Sequence, residues 1–341
     1  MTYRVGLVGT GPRERTKERG GGFAIGRIHA DTWRKLDRVS LVAGCDIRQE
    51  NLDAFAEDYG VTGYTDYKTM LAEAKLDIVD ICTWPPLHAD MVVAAAEAGA
   101  KAIYCEKPMT LSLGDARRMV DVCDANGVKL VVSHQRRVER RFLQVRNWIS
   151  KGRIGEVLEV QGRISAADAD ILSWGTHWID MFGYMLGDPV AETVFAAIDT
   201  TSAIRRYGHP VEDRALIVVT YRGGGKGYLE GGVDAGPIGL RVIGTKGLVQ
   251  FGDVVTGWLD GGTTIERLEG RPTDFVDSFE VAMNDLVDAV EQNRDPILAG
   301  RLGMRTTEII MAAYESAARQ AQIKLPLNND AFPLLARPEF K

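Results

Sequence analysis

A chain of 341 residues is long enough for two domains, each with its own buried core. Its formal net charge of −6, from 47 acidic and 41 basic side chains, lacks the basic excess of a nucleic-acid binder, so no nucleic acid and a small-molecule partner are expected. No apolar run reaches the roughly 18 residues of a membrane span, and Cys45, Cys82, Cys105 and Cys123 fall in neither a Cys-x-x-Cys nor a Cys/His ligand spacing. These features predict a cytoplasmic protein with no membrane partner, buried thiols and no metal site.

In chain order, short Val- and Ile-rich runs at 3–8, 39–45, 78–82, 102–105 and 129–133 alternate with helical spacings at 24–36, 49–59, 88–98 and 113–125. Strands apolar on both faces, separated by helices, predict a doubly wound parallel α/β sheet over a first domain, 1–135. After Arg137 the pattern changes. A helical run to Ile149 is followed by alternating strands at 156–164, 214–221, 227–233 and 240–243, several of them bounded by glycine pairs, and by helices at 275–292 and 301–320. This predicts a second α/β domain, 136–341, built on a large, open, mostly antiparallel sheet.

The first strand ends in Val8-Gly9-Thr10-Gly11, where glycines permit a tight turn and close approach of a pyrophosphate to a helix amino terminus. The third glycine of such a loop is Gly26, displaced by an insertion at 12–22 that reads either as a basic flap over phosphates or as an exposed loop. Asp46 follows the second strand, where a carboxylate accepts hydrogen bonds from both hydroxyls of an adenosine ribose and repels a 2′-phosphate. NAD is therefore favoured over NADP, with Arg48 a softening influence and a helix-capping role for Asp46 the alternative. In the turn Thr83-Trp84-Pro85-Pro86, Thr83, Trp84 and Pro85 are placed along the cofactor. His88 opens the next helix and reads as a cap or packing residue as readily as a cofactor contact.

Glu106-Lys107-Pro108 closes the strand 102–105, at the carboxyl end where α/β sheets bind ligands, so the Lys107 ammonium is placed to meet a substrate. Beyond the last strand of this domain, Gln135 and Arg137 lie in His134-Gln135-Arg136-Arg137, while Arg136, Arg140 and Arg141 read as a solvated helix terminus.

Together these motifs resemble the Gfo/Idh/MocA family, the glucose-fructose oxidoreductase and inositol dehydrogenase group. The resemblance continues through Gly152-x-Ile154-Gly155, Gly175-Thr176-His177-Trp178-Ile179-Asp180, Ile243-Gly244-Thr245-Lys246-Gly247 and Ala312-Ala313-Tyr314-Glu315. It implies a Rossmann domain followed by a substrate domain whose open sheet makes a homodimer or homotetramer, and oxidation or reduction of a carbohydrate, cyclitol or polyol. It also implies Lys107 and His177 as the catalytic pair converging on one hydroxyl, Lys107 holding the oxygen and His177 exchanging its proton. The cofactor contacts it implies are Gly9, Thr10, Gly11, Gly26, Asp46, Arg48, Thr83, Trp84, Pro85, His88, Glu106, Lys107 and Gln135. On the substrate side stand Lys107, Arg137, Asp170, Ser173, Trp174, His177 and Asp180.

One position departs from the family. Relatives commonly carry an aspartate four residues before the histidine, and here that residue is Ser173. Asp170 or Asp168 is available upstream to supply the missing charge. The departure keeps open a redox-neutral, NAD-dependent lyase or glycosidase working through a transient ketone. A nonenzymatic dinucleotide-binding regulator is the third reading. Trp174 and Trp178 read as core aromatics or as a stacking platform for a pyranose.

Overall fold

In the computed structural model, residues 2–13, 24–165, 170–232, 235 and 239–340 are described. Most of the 12–22 insertion, and Asp168, lie outside them. The chain divides into two units: residues 1–110, 115–135 and 276–301 form the first, and 111–114, 136–275 and 302–341 the second. Segment 276–301, assigned by sequence to the second domain, thus groups with the first.

The elements run β1 (Tyr3–Val8), α1 (Ile25–Trp33), β2 (Val39–Cys45), α2 (Gln49–Tyr59), β3 (Thr62–Tyr64), α3 (Tyr67–Glu73), β4 (Ile78–Ile81), α4 (Pro85–Glu97), β5 (Ala102–Cys105), α5 (Leu113–Asn126) and β6 (Lys129–Val132). The six strands form one parallel sheet in the order β3-β2-β1-β4-β5-β6. This is the doubly wound Rossmann arrangement, in which the order reverses between β1 and β4 and opens a crevice at their carboxyl ends. Every residue of β4 and β5 is buried, which explains their unbroken apolar character except for Asp80.

The second unit begins with α6 (Arg140–Ser150) and β7 (Val157–Ile164), followed by a π-helical turn, Ile171–Gly175, that runs into α7 (Thr176–Leu186). Then come β8 (Ala191–Asp199), β9 (Arg205–Arg206), β10 (His209–Pro210), β11 (Arg214–Tyr221), β12 (Lys226–Gly232), β13 (Gly239–Gly244), β14 (Gly247–Phe251), β15 (Val254–Leu259) and β16 (Thr264–Glu269). The chain ends through α8 (Asp274–Gln292), α9 (Gly300–Arg319) and β17 (Ile323–Lys324), followed by two short 3-10 turns. Nine strands form a sheet in the order β16-β15-β14-β13-β7-β12-β11-β8-β17, antiparallel throughout except for the β7–β12 pair. Alternation along β11 buries Ala215, Ile217, Val219 and Tyr221 and leaves Leu216 exposed on the other face.

α7 lies against β7 and β12, and glycine makes the approach possible. A Cβ on Gly227 would sit 2.4 Å from the buried ring of Phe182. The helix stops at Gly187, whose φ of 91° is the left-handed conformation of a helix end. Among the described residues no helix is long and apolar enough to cross a membrane.

Candidate active site

In the first unit, the carboxyl ends of β1 and β4 are brought together around glycine. Gly9 has φ 90°, and a Cβ there would lie 2.8 Å from the Cys82 carbonyl carbon and oxygen. A Cβ on Gly26 would lie 2.3 Å from the Gly9 carbonyl oxygen, so α1 can begin directly behind the loop only because residue 26 has no side chain. The displaced glycine is therefore packed directly against the Gly9 loop despite the insertion before it.

Asp46 is tied to that loop. Its carboxylate accepts Thr10 Oγ1 at 3.1 Å and the Gly11 amide at 3.0 Å, as well as the Arg48 amide at 3.0 Å and the Asn51 side-chain amide at 3.3 Å. The helix-capping alternative is not realised: the residue before α2 is Arg48, and no side chain caps the helix there. The sequence reading missed Asn51, whose only signal is a buried amide in the first turn of α2. The Arg48 side chain is exposed, and Arg13, the described basic residue of the insertion, pairs with Glu57 and Asp58 of α2.

Trp84 is 57% exposed ahead of Pro85, the first residue of α4, while the Thr83 hydroxyl donates to Met91 Sδ at 3.4 Å. His88, a candidate cofactor contact, is fully buried with Nδ1 3.1 and 3.2 Å from the Pro108 and Met109 carbonyl oxygens and Nε2 3.0 Å from that of Thr83. It braces the Thr83 turn against the turn after Lys107 and has no ring nitrogen to offer a ligand. Burial pushes its pKa below the ordinary imidazole range.

Glu106 is similarly turned inward. One oxygen accepts the Lys107 amide at 3.1 Å and the other lies 3.3 Å from His29 Nε2, so its carboxylate is directed into the protein rather than toward a cofactor. Burial works to raise its pKa, but His29 and Lys107 outweigh this and hold Glu106 below its usual range. Lys107 itself is half-buried at the end of β5.

A buried polar group beneath Lys107 carries no sequence motif. His29 Nδ1 stands 3.0 Å from Asp80 and 3.2 Å from Cys82 Sγ, and the Trp33 indole donates to Asp80 at 2.7 Å. The spacing rule that found no Cys/His motif could not detect a group assembled from α1, β4 and the residue after β4, although its His29, Asp80 and Cys82 donor atoms lie within 4.8 Å of one another. All four cysteines are buried free thiols, and burial pushes Cys45 and Cys123 up to about 12.

Gln135 closes this unit with 3% exposure, its Oε1 buried without a hydrogen-bond partner among the described residues. A glycine cradle that tolerates no Cβ, a carboxylate beside it and an orphaned amide oxygen are the features a dinucleotide would satisfy.

In the second unit, His177 is the second residue of α7 and 5% exposed. The turn before it is capped by Asp170, whose carboxylate accepts the Ser173 amide and hydroxyl, each at 2.8 Å, while Ser173 Oγ accepts the Asp170 amide at 3.2 Å. The two candidate substrate residues therefore engage each other, and Asp170 is 1% exposed. Glu212, unmarked in the sequence, accepts the Ile171 amide at 2.5 Å and the Tyr314 hydroxyl at 2.8 Å. Burial, reinforced by the Asp170 charge, pushes Glu212 up to about 7.

Arg137 and Asp180, both expected to meet substrate, instead form a buried bidentate pair at 2.8 Å, and Arg137 also reaches Asp188 at 2.9 Å. Arg136 is not solvated as expected. It lies over the rings of Trp178, Trp174 and Phe142 at 4.9, 5.7 and 5.8 Å, and burial lowers its pKa. Arg140 and Arg141 likewise pair with Asp274 and Glu139. Trp178 is core, its indole donating to the Arg163 carbonyl, whereas Trp174 is partly exposed.

Comparison with known proteins places the chain in a family. Residues 20–134 match a family described as an oxidoreductase family with an NAD-binding Rossmann fold, and residues 142–250 match the GFO/IDH/MocA C-terminal domain. The chain is 26% identical to myo-inositol 2-dehydrogenase of Thermotoga maritima, over 94% of this chain and 98% of that protein. It is 29% identical to inositol 2-dehydrogenase of Rhizobium meliloti, over 95% and 100%. With D-apiose dehydrogenase of Paraburkholderia graminis it shares 35% identity over 60% of this chain and 56% of that one. The fold is that of levoglucosan dehydrogenase, solved with NADH and levoglucosan, at a TM-score of 0.82 and 20% identity over 96% of this chain and 100% of that one.

Proposed function

Because the chain belongs to the GFO/IDH/MocA family of NAD-binding oxidoreductases, we propose that it is a dehydrogenase of a secondary hydroxyl on a sugar, cyclitol or polyol, with NAD preferred to NADP. The observation that carries the reading is a half-buried lysine at the end of β5, in the same parallel sheet whose β1 ends in the glycine cradle. Gly9, Thr10, Gly11 and Gly26 would hold the pyrophosphate, Asp46 the adenosine ribose, and Thr83, Trp84, Pro85 and Gln135 the nicotinamide end. NAD, when bound, supplies a hydride acceptor.

Lys107 donates a hydrogen bond to the reacting oxygen and stabilises the negative charge that builds on it as its proton leaves. His177 takes that proton, and the carbon loses hydride as the carbonyl forms; the reverse direction returns both. Asp46 disfavours a 2′-phosphate by charge. The exposed apolar side chains Phe195, Leu216, Trp258 and Ile265 on the nine-stranded sheet support pairing with a second copy of the chain, a homodimer or a tetramer built from it. Light scattering on the purified protein tests that pairing, and a monomer that persists at micromolar concentration removes it.

The decisive assay screens sugars, cyclitols and polyols with NAD and NADP, then compares Lys107→Ala and His177→Ala. Each variant is expected to lower kcat by at least about 100-fold with NADH affinity nearly unchanged. Unchanged turnover in either variant strips that residue of its role. Ser173, bonded to Asp170 where relatives carry an aspartate, favours one second reading, elimination through a transient ketone. Product formed without net NADH would select elimination, and no turnover across the whole panel would select a dinucleotide-binding regulator.

A further inference from the structure

Beneath Lys107 lies a cluster of charge that the proposed chemistry leaves unused. Asp80 sits in the middle of β4, fully buried, in a strand otherwise made of isoleucine and valine. A bare carboxylate in such a place is costly unless it is hydrogen-bonded and its charge is balanced. Trp33 Nε1 and His29 Nδ1 donate to it at 2.7 and 3.0 Å. The other ring nitrogen of His29 approaches Glu106 Oε1 at 3.3 Å, an ion-pair contact rather than an aligned hydrogen bond. Glu106 Oε2 accepts the Lys107 amide at 3.1 Å. A continuous path thus runs from Trp33 through Asp80, His29 and Glu106 to the backbone of Lys107.

We infer that His29 is a positioning residue for Lys107: held as an imidazolium between the Asp80 and Glu106 carboxylates, it fixes the side chain that anchors the Lys107 turn. The inference rests on the role proposed above for Lys107. The charges close, because His29 and Lys107 supply two cations against the two carboxylates. Among the described residues, the groups facing the imidazole are Trp33 from its own helix, Asp80 from β4 and Cys82 just after it, Tyr104 from β5 and Glu106 just after it, and Phe279 from α8, with Ser133 beside Glu106. Among them only the two carboxylates are charged at neutral pH, since burial keeps the Cys82 thiol and the Tyr104 phenol protonated. Burial itself opposes charge on His29, yet the hydrogen-bonded Asp80 carboxylate beside it helps hold its pKa above the ordinary value. The aromatic enclosure, with Phe279 and Tyr104 ring centroids at 4.8 and 5.3 Å, keeps water from screening the cluster.

The alternative occupant is a metal ion, because His29, Asp80 and Cys82 offer a nitrogen, an oxygen and a sulfur within 4.8 Å of one another. The same experiment separates the two. In native protein labelled with 15N-histidine, one imidazole is expected to stay protonated on both nitrogens well above the pH at which a free imidazole titrates, and that signal should vanish in His29→Gln. A neutral tautomer throughout, or one equivalent of bound zinc with a metal-shifted ring nitrogen, overturns the inference.

Glu106→Gln, which keeps an oxygen for the Lys107 amide but removes the charge, tests the coupling. On the polyol turned over best in the panel, kcat should fall at least tenfold and the alkaline limb of its pH profile should move down, as a lysine loses a neighbouring anion. NADH affinity, read by cofactor fluorescence, should change less than threefold. Wild-type kcat and profile in Glu106→Gln beside an inactive Lys107→Ala defeat the positioning role alone. Full activity in Lys107→Ala defeats the parent reading instead.

Discussion

Asp46 shows how a single carboxylate serves a structure and a selectivity together. It gathers Thr10, Gly11, Arg48 and Asn51 around one end of the glycine loop, so removing it loosens the loop as well as discarding an acceptor for ribose. Hydrogen bonds to a charged group contribute about 1.5–3 kcal/mol each. Asp46→Ser should therefore weaken NAD binding by at least about tenfold while lifting the repulsion of a 2′-phosphate, so that the ratio of kcat/KM for NADP to that for NAD rises. Steady-state kinetics with both cofactors check this, and an unchanged ratio would refute the assignment of Asp46. Arg137 makes the contrasting case: it was expected at a substrate, but its guanidinium is spent on Asp180 and Asp188. Arg137→Ala leaves two carboxylates without their counter-ion, one of them fully buried, and should cost about 3–5 kcal/mol in urea unfolding. The motif showed that these residues matter; it could not show that they matter to each other, because Arg137 and Asp180 lie 43 positions apart.

At the scale of elements, α7 and the sheet beneath it depend on a residue with no side chain. A methyl at Gly227 would overlap the ring of Phe182, which is fully buried and cannot swing aside. Gly227→Ala should cost about 1–3 kcal/mol, seen as a lower urea midpoint with unchanged slope. Elements whose pattern matched their burial were legible: β1, β2, α2 and β5 begin and end where the apolar runs and periodicity placed them. The elements that escaped had weak patterns. β3 is three residues long and buries none of them fully, α3 buries only Met70, and β8 fills its alternation with alanine, glutamate and threonine. The strands from β14 to β16 carry glycines and charges that break the alternation on which a sequence reading depends. The candidate site was legible wherever glycine, proline or a strand end marked it, as at Gly9, Asp46 and Lys107. His29, Asp80 and Glu212 were not, since a buried polar network is defined by partners that only folding brings together.

For the molecule as a whole, these networks set how stability responds to pH, and they act in opposite directions. Glu106 is held below its unfolded value, so its contribution is present above the ordinary carboxylate range and is lost as pH falls through its folded pKa. His29 is held above its unfolded value, so its contribution is complete below about 6.5 and disappears only as pH rises through its raised folded pKa. Glu212 acts with the sign of His29 and against that of Glu106, but at lower pH. Pushed up from 4.5 to about 7 by burial and Asp170, it keeps a proton that the unfolded chain has already released. The unfolded state then binds fewer protons than the folded one, so Glu212 makes stability fall as pH rises from about 4.5 to 7, by on the order of 3 kcal/mol once the carboxylate is forced to ionise. Glu212→Gln imitates the protonated acid: its oxygen can accept the Ile171 amide and its nitrogen can donate to the Tyr314 hydroxyl, and it cannot ionise. The variant should match wild type near pH 5 and exceed it by about 2–3 kcal/mol at pH 8 in urea unfolding. Equal stability at pH 8 would mean that Glu212 is already ionised in the folded protein, with its charge balanced by a group other than Ile171 and Tyr314.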